Sequence, residues 1–227
     1  MKEKLTELFS YSEHPIVIFE DYYLLVLYKP AGFTVERHPT YKSLEDFAQE
    51  HEQKLFPQNK KHFIGIVHRL DVNVSGLVVM AKTRSGLKNL NQQFAEKKTR
   101  KIYLALVAGN LPEKSGRIDG WITEDKQNKI AKFYLNEVEN SKTSLMSYLV
   151  LESLEKSSLV EIELETGRFH QIRASLAAIG CPIINDEKYG AKKIDESAAI
   201  KLVAVKLEFL HPKTGERMRF SLNQSYI

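Results

Sequence analysis

Short apolar runs closed by turn residues recur along this 227-residue chain, and few helical patterns interrupt them. That alternation restricts the fold more than any other feature of the sequence. Ile16-Val17-Ile18-Phe19 and Leu24-Leu25-Val26-Leu27 flank the polar Glu20-Asp21 and read as paired strands, which the turn Lys29-Pro30-Ala31-Gly32 ends. Residues 77–80, 102–107, 145–151, 159–164 and 202–209 also read as extended, with a clean alternation in Val160-Glu161-Ile162-Glu163-Leu164. Ser43 is expected to cap a helix carrying Leu44, Phe47, Ala48 and Leu55, with Asp46 three residues after the cap. Leu87, Leu90 and Phe94 recur at helical spacing within a basic helix expected over residues 84–101. A third helix is expected over 168–179, with Thr166 as its cap, Gly180 in the left-handed C-terminal position and Pro182 preventing continuation. Strands interleaved irregularly with few helices imply an α+β fold and not a doubly wound parallel sheet. No repeat or Gly/Ser-rich linker marks a boundary, so a single domain over 1–227 is the simplest organisation.

Hydrophobic residues make up 43% of the chain, enough to fill a core, and no stretch approaches the roughly 18 apolar residues of a membrane helix. The charged start lacks the apolar run of a signal peptide, which makes a cytoplasmic location the default expectation. Cys181 is the only cysteine, so neither an internal disulfide nor a cysteine-rich zinc site is available. The net charge of +4 is unevenly spread. Residues 59–101 hold ten Lys/Arg (Lys60, Lys61, Arg69, Lys82, Arg84, Lys88, Lys97, Lys98, Arg100, Lys101) against Asp71 and Glu96, a local +8 that leaves −4 elsewhere. A phosphate-rich partner calls for such a footprint, and a solvated lysine face produces a similar one.

The segment Val67-His68-Arg69-Leu70-Asp71-Val72-Asn73-Val74-Ser75-Gly76 precedes an apolar strand and places Asp71 on a loop held by rigid scaffold. An isolated Asp in such a place usually only hydrogen-bonds a turn. Here, however, the segment resembles the central motif of the RluA-type RNA pseudouridine synthases: His-Arg-Leu-Asp, then Ser-Gly and a strand. Asp21–Gly32 with Tyr28-Lys29-Pro30-Ala31-Gly32 at its end resembles that family's first motif, and residues 101–109 its tyrosine motif. Thr166-Gly167-Arg168-Phe169-His170-Gln171-Ile172-Arg173 resembles its third, extended by residues 180–186 with Tyr189-Gly190, and Leu207-Glu208-Phe209-Leu210-His211-Pro212 its ending. The similarity runs in family order over roughly residues 16–220.

The resemblance implies the family's catalytic fold, a central, mostly antiparallel mixed sheet with flanking helices and a catalytic cleft. It also implies isomerisation of uridine in RNA, without metal or cofactor. Asp71 takes the position of the essential carboxylate, either as nucleophile or as base at the sugar. Tyr103 is expected against the target base, assisting removal of the C5 proton, and Arg173 as partner of Asp71. A stacked uridine must be extruded, at a cost of roughly a few kcal/mol; Arg69 is expected to help displace and hold it. His68, Arg168, His170, Lys97, Lys98, Arg100 and Lys101 complete the expected RNA contacts, each with a plain structural or solvated alternative. Many relatives carry a small RNA-binding domain ahead of the catalytic one; with about fifteen residues there, no separate one is expected here, and binding is expected from the catalytic domain itself.

The sequence departs from the family pattern at Val74 for Thr, Ala174-Ser175 for Val-His, Asn185 for Gly and Tyr28 for Asn. The partner expected is RNA, ribosomal ahead of transfer RNA, with no required protein partner and no membrane. Two other classes compete: a catalytically inactive RNA-binding module of the same fold, and a glycosidic hydrolase, for which no second motif acid accompanies Asp71.

Overall fold

The computed structural model describes residues 12–58, 62–195 and 199–222, so Lys60 and Lys61 of the basic block lie outside the described residues. In chain order the elements are β1 (Ile16–Glu20), β2 (Leu24–Lys29), α1 (Leu44–Leu55), β3 (Gly65–Ile66), β4 (Ser75–Ala81), α2 (Arg84–Ala95), β5 (Arg100–Ala108), β6 (Ser115–Asp125), β7 (Ile130–Tyr134), β8 (Lys142–Ser153), β9 (Ser157–Leu164), α3 (Gln171–Ala178), β10 (Leu202–Leu210) and β11 (Arg217–Ser221). They form two compact units. The first holds the residues up to Arg100 and those from Ala204 onward; the second is Lys101–Val203.

In the first unit the strands lie in the order β1-β2-β4-β10, with β3 also on β4 and β11 on β10. Every residue of β2 and β4 is buried, which explains their unbroken apolar runs. Their antiparallel register sets Leu24 opposite Ala81 and Lys29 opposite Gly76. Gly76 has φ +129°, and a Cβ there would stand 2.4 Å from the Ala204 carbonyl oxygen, so only glycine lets β4 approach β10 this closely. Ser43 caps α1 as expected, accepting from Asp46 N–H at 3.0 Å and donating to Asp46 Oδ2 at 2.6 Å. Lys82 Nζ then joins α1 to β1, lying 2.6 Å from Glu20 Oε1 and 2.7 Å from Glu52 Oε1.

The basic helix is shorter than expected. α2 begins under Thr83, whose hydroxyl accepts from Gly86 N–H at 3.0 Å, and ends at Ala95. Lys97 there turns left-handed (φ 56°), Lys97 N–H donates to Phe94 O and Lys98 N–H to Gln93 O, a paired arrangement that closes the helix. Lys97 and Lys98 therefore follow the helix, and Arg100 and Lys101 begin β5. Gln93 fastens the helix to β10: its amide donates to Leu210 O and accepts from Leu210 N–H, both at 2.7 Å.

The second unit is an antiparallel sheet in the order β5-β9-β8-β6-β7. β6 and β7 were not among the expected strands, because Ser115–Asp125 mixes glycine, charges and isolated apolar residues without a run. α3 starts at Gln171 and not at 168. Thr166 is not its cap. The Thr166 hydroxyl instead accepts from Leu145 N–H at 2.8 Å and donates to Gln171 Oε1 at 2.8 Å, while Arg168 N–H donates to the same Oε1. These bonds hold 166–168 as a turn, and His170, left-handed at φ 51°, takes the capping position. The other end is as expected: Gly180 is left-handed, with Gly180 N–H to Ala177 O and Cys181 N–H to Leu176 O. α3 packs on β6 and β7 through Ile122, Ala131 and Ala174, with Phe133, Phe169 and Tyr189 around them.

Lys97 pays the steric cost of a left-handed side chain at the position glycine prefers. Lys97→Gly should raise stability by ~0.5–1 kcal/mol in urea unfolding and Lys97→Val should lower it, whereas equal stabilities for the two variants would contradict this account.

Candidate active site

Asp71 lies in the first unit on the loop between β3 and β4, and backbone bonds shape that loop. Val74 N–H donates to Asp71 O at 3.1 Å, and Gly32 N–H to Val72 O at 2.7 Å, so the turn after β2 and the Asp71 loop are stitched together. Beneath the stitch sits Lys29, fully buried. Its Nζ donates to the carbonyls of Phe33 at 2.7 Å and Pro30 at 3.0 Å, and lies 3.4 Å from that of Val72. Burial pulls the Lys29 ammonium down to about 7, and the negative charge of Asp71 opposes that pull. Val74 is buried, so where the family has a threonine hydroxyl this loop has an apolar contact and a backbone turn.

The two residues before Asp71 serve different ends. Arg69 is exposed, its Nη1 donating to Glu36 Oε2 at 3.0 Å. His68 faces inward: its Nε2 accepts from Val79 N–H at 3.1 Å and its ring stacks on Phe94 at 4.8 Å. That acceptor role makes the Nε2 nitrogen unprotonated and gives His68 the task of holding the loop to β4 and α2. Lys97 and Lys98 are exposed, Lys98 with Glu96 Oε2 at 2.6 Å, and Arg100 reaches Glu208 Oε1 at 3.7 Å.

In the second unit the third-motif residues build a buried cluster. Arg173 grips Asp186 in a two-point pair, Nε to Oδ2 at 2.7 Å and Nη2 to Oδ1 at 2.8 Å, with both side chains almost wholly buried. The Arg173 guanidinium lies 5.0 Å from the centre of the Tyr189 ring. Tyr189 Oη accepts from Ala131 N–H at 2.8 Å and is 2.9 Å from His170 Nδ1, so His170 and Arg173 meet on this tyrosine. Arg168 stays outside, donating from Nε to Thr143 O at 2.9 Å. Tyr103 is buried on β5 opposite Ile162. Lys101 belongs with this motif and not with the α2 lysines: its Nζ lies 3.4 Å from where a Gly167 Cβ would be, and burial lowers its pKa.

Sequence reasoning passed over three of these residues. Lys29 carried a signal, a lone lysine ending an apolar run before Pro-Ala-Gly; Asp186 and Tyr189 were noted only as part of an extended motif, although they hold Arg173. Asn185 also explains itself. Its backbone is left-handed (φ 70°), a conformation glycine takes freely and asparagine tolerates, and its side chain accepts from Ile194 N–H at 2.9 Å and donates to Asp195 Oδ1 at 2.7 Å.

Two outcomes follow from these contacts. Asp186→Asn removes the carboxylate from a buried guanidinium and should cost ~3–5 kcal/mol in denaturant unfolding, against which a change below 1 kcal/mol would count. For Lys29, the unfolded chain keeps the proton up to the ordinary value of 10.5 while the native state releases it near 7. Between these values the unfolded state binds more protons, so the native state gains as pH rises. Wild type should therefore gain stability over Lys29→Met between pH 7 and pH 9 in urea titrations; parallel pH dependences would show that Lys29 is not the titrating group.

A family model described as RNA pseudouridylate synthase matches residues 23–178, a span that contains Asp71, Tyr103 and Arg173. An uncharacterized RNA pseudouridine synthase of Aquifex aeolicus (strain VF5) is 34% identical over 220 residues, covering 92% of this chain and 69% of that protein. The ribosomal large subunit pseudouridine synthase C of Buchnera aphidicola subsp. Baizongia pistaciae is 32% identical over 235 residues, covering 100% of this chain and 72% of that one. Among solved structures, human RNA pseudouridylate synthase domain containing 4 shares the fold, with a TM-score of 0.76 at 21% identity over 98% of this chain and 92% of that one. The α+β architecture, the family match and these relatives agree, and the chain belongs to the RluA-type RNA pseudouridine synthases, a family of isomerases.

Proposed function

We propose that this chain isomerises uridine to pseudouridine in a structured RNA, ribosomal RNA ahead of transfer RNA, as a single catalytic domain working in the cytoplasm. The observation that carries this reading is the Asp71 loop: a family-motif carboxylate on a turn bonded to the first motif over a buried lysine. The name of the Buchnera relative favours a ribosomal substrate.

In this reading the target nucleotide leaves its stack, and the exposed Arg69 exchanges Glu36 for the displaced nucleotide. Asp71 acts at the sugar, as nucleophile or base, while the bond from N1 to C1′ breaks. The uracil turns and C5 bonds to C1′. The proton on C5 is removed with Tyr103 against the base, and N1 takes up a proton, so atoms balance without a redox partner, a metal or a cofactor. Arg173, already directed by Asp186, pairs with Asp71 and offsets its desolvation. Arg168, His170, Lys97, Lys98, Arg100 and Lys101 supply RNA contacts, and His68 supports the loop.

Asp71→Asn should abolish pseudouridine formation while leaving RNA affinity within a few fold, since many phosphate contacts and not one carboxylate supply binding. Comparing modified positions in cellular RNA with and without the gene identifies the target. Turnover by Asp71→Asn would remove the assignment; release of free uracil by wild type would indicate a hydrolase, and no product at all an RNA-binding module.

A further inference from the structure

We infer that the outward face of the β10–β11 pair is a docking surface for the sugar-phosphate backbone of the RNA, centred on Arg217 and Arg219. The inference rests on the proposed action on RNA and extends it to residues outside the family motifs.

Among the described residues, β11 pairs with β10 alone. Strand alternation sends Met218 and Phe220 inward, where the Phe220 ring lies 5.5 Å from Phe19 and 5.8 Å from Phe209, and sends Arg217 and Arg219 outward. The register sets Glu208 opposite Arg219, Leu210 opposite Arg217 and Lys206 opposite Ser221, so Lys206, Glu208, Arg217 and Arg219 share the outer face. Arg100 joins them from the start of β5, since its guanidinium also reaches Glu208. On this face Glu208 thus gathers Arg100, Arg217 and Arg219, with Lys206 on the same strand.

The geometry of that carboxylate is the informative part. Glu208 lies 3.7 Å from Arg100, 3.8 Å from Arg217 and 3.6 Å from Arg219, beyond the ~2.7–2.9 Å of a charge-assisted hydrogen bond. Its side chain is 17% exposed, whereas those of Arg217 and Arg219 are 54% and 70% exposed. One half-sequestered carboxylate gathers three guanidiniums without engaging the donors of Arg217 or Arg219, so those forks point to solvent. Exposed ion pairs of this kind contribute only ~0–1 kcal/mol to stability, too little to account for crowding like charges together. An anionic partner accounts for it.

The spacing suits a polyanion better than a single ion. Arg217 and Arg219 are two residues apart on one strand, about 6.8 Å, a step comparable with that between neighbouring phosphates on one nucleic-acid strand. Gln93 fastens α2 to Leu210, which brings the Lys97–Arg100 segment beside the same pair of strands and lengthens the basic track. Guanidiniums on the outer face of a strand meet phosphate, so the contact is indifferent to sequence.

The test measures binding of a structured RNA as a function of salt by fluorescence anisotropy. R217Q/R219Q should shallow the slope of log affinity against log salt by between about one and two. E208Q should move the other way and tighten binding severalfold at low salt. K126Q/K129Q, an equal charge change on the turn between β6 and β7, should leave the slope unchanged, and thermal melting should show all variants folded. If wild type forms pseudouridine but R217Q/R219Q keeps the wild-type slope, or changes it no more than K126Q/K129Q does, the surface is wrong and the activity stands. If wild type neither binds RNA nor forms pseudouridine, both readings fall.

Discussion

The Asp71 loop depends on one buried lysine side chain. Lys29 gathers carbonyl oxygens from Pro30, Phe33 and Val72, and so fixes the turn after β2 and the loop before β4 as one piece. A lysine with no solvent access is expensive to bury, and its depressed pKa records that expense. The Pro30 and Phe33 carbonyls accept from it, Val72 O accepts from Gly32 N–H as well, and the Asp71 carboxylate adds a favourable charge. The interaction explains how the Asp71 carboxylate can sit on a loop and yet be placed with the precision of a strand.

The second unit solves a similar problem differently. Arg173 is directed by a two-point carboxylate pair and covered by an aromatic ring, and that ring is itself held through its hydroxyl by the backbone of β7 and by His170. An arginine so fixed at the start of a helix has little rotational freedom left. The Asp186 pair and the Tyr189 ring thus set the direction of the guanidinium.

Much of this was legible in the sequence where one periodicity dominated. β1, β2 and β4 announce themselves as apolar runs, β9 by its alternation, and α1 by its Ser43 cap. The errors arose where side chains compete with backbone for the same hydrogen bonds. Thr166 looks like a helix cap but serves β8 instead, and Lys97 ends α2 from a conformation that its residue type does not advertise. β6 escaped notice because its partners, not its composition, make it a strand. In the site, motif residues were readable and their supports were not: Asp186 is thirteen positions from Arg173, a distance over which only tertiary structure decides who meets whom.

The first unit is built from both ends of the described chain, with Lys101–Val203 inserted between them. β4, which follows the Asp71 loop, has β10 as its neighbour, and Gly76 accepts that neighbour at a separation no side chain would allow. During synthesis, therefore, the ribosome must deliver the residues of β10 before β4 can be enclosed, and the inserted unit can complete its own sheet while the first still waits. Long-range pairings of this sort slow folding, and here they tie completion of the Asp71 loop's surroundings to translation past β10. A nascent chain stalled within the second unit would carry every residue of the Asp71 motif and lack the strand against which that motif is packed.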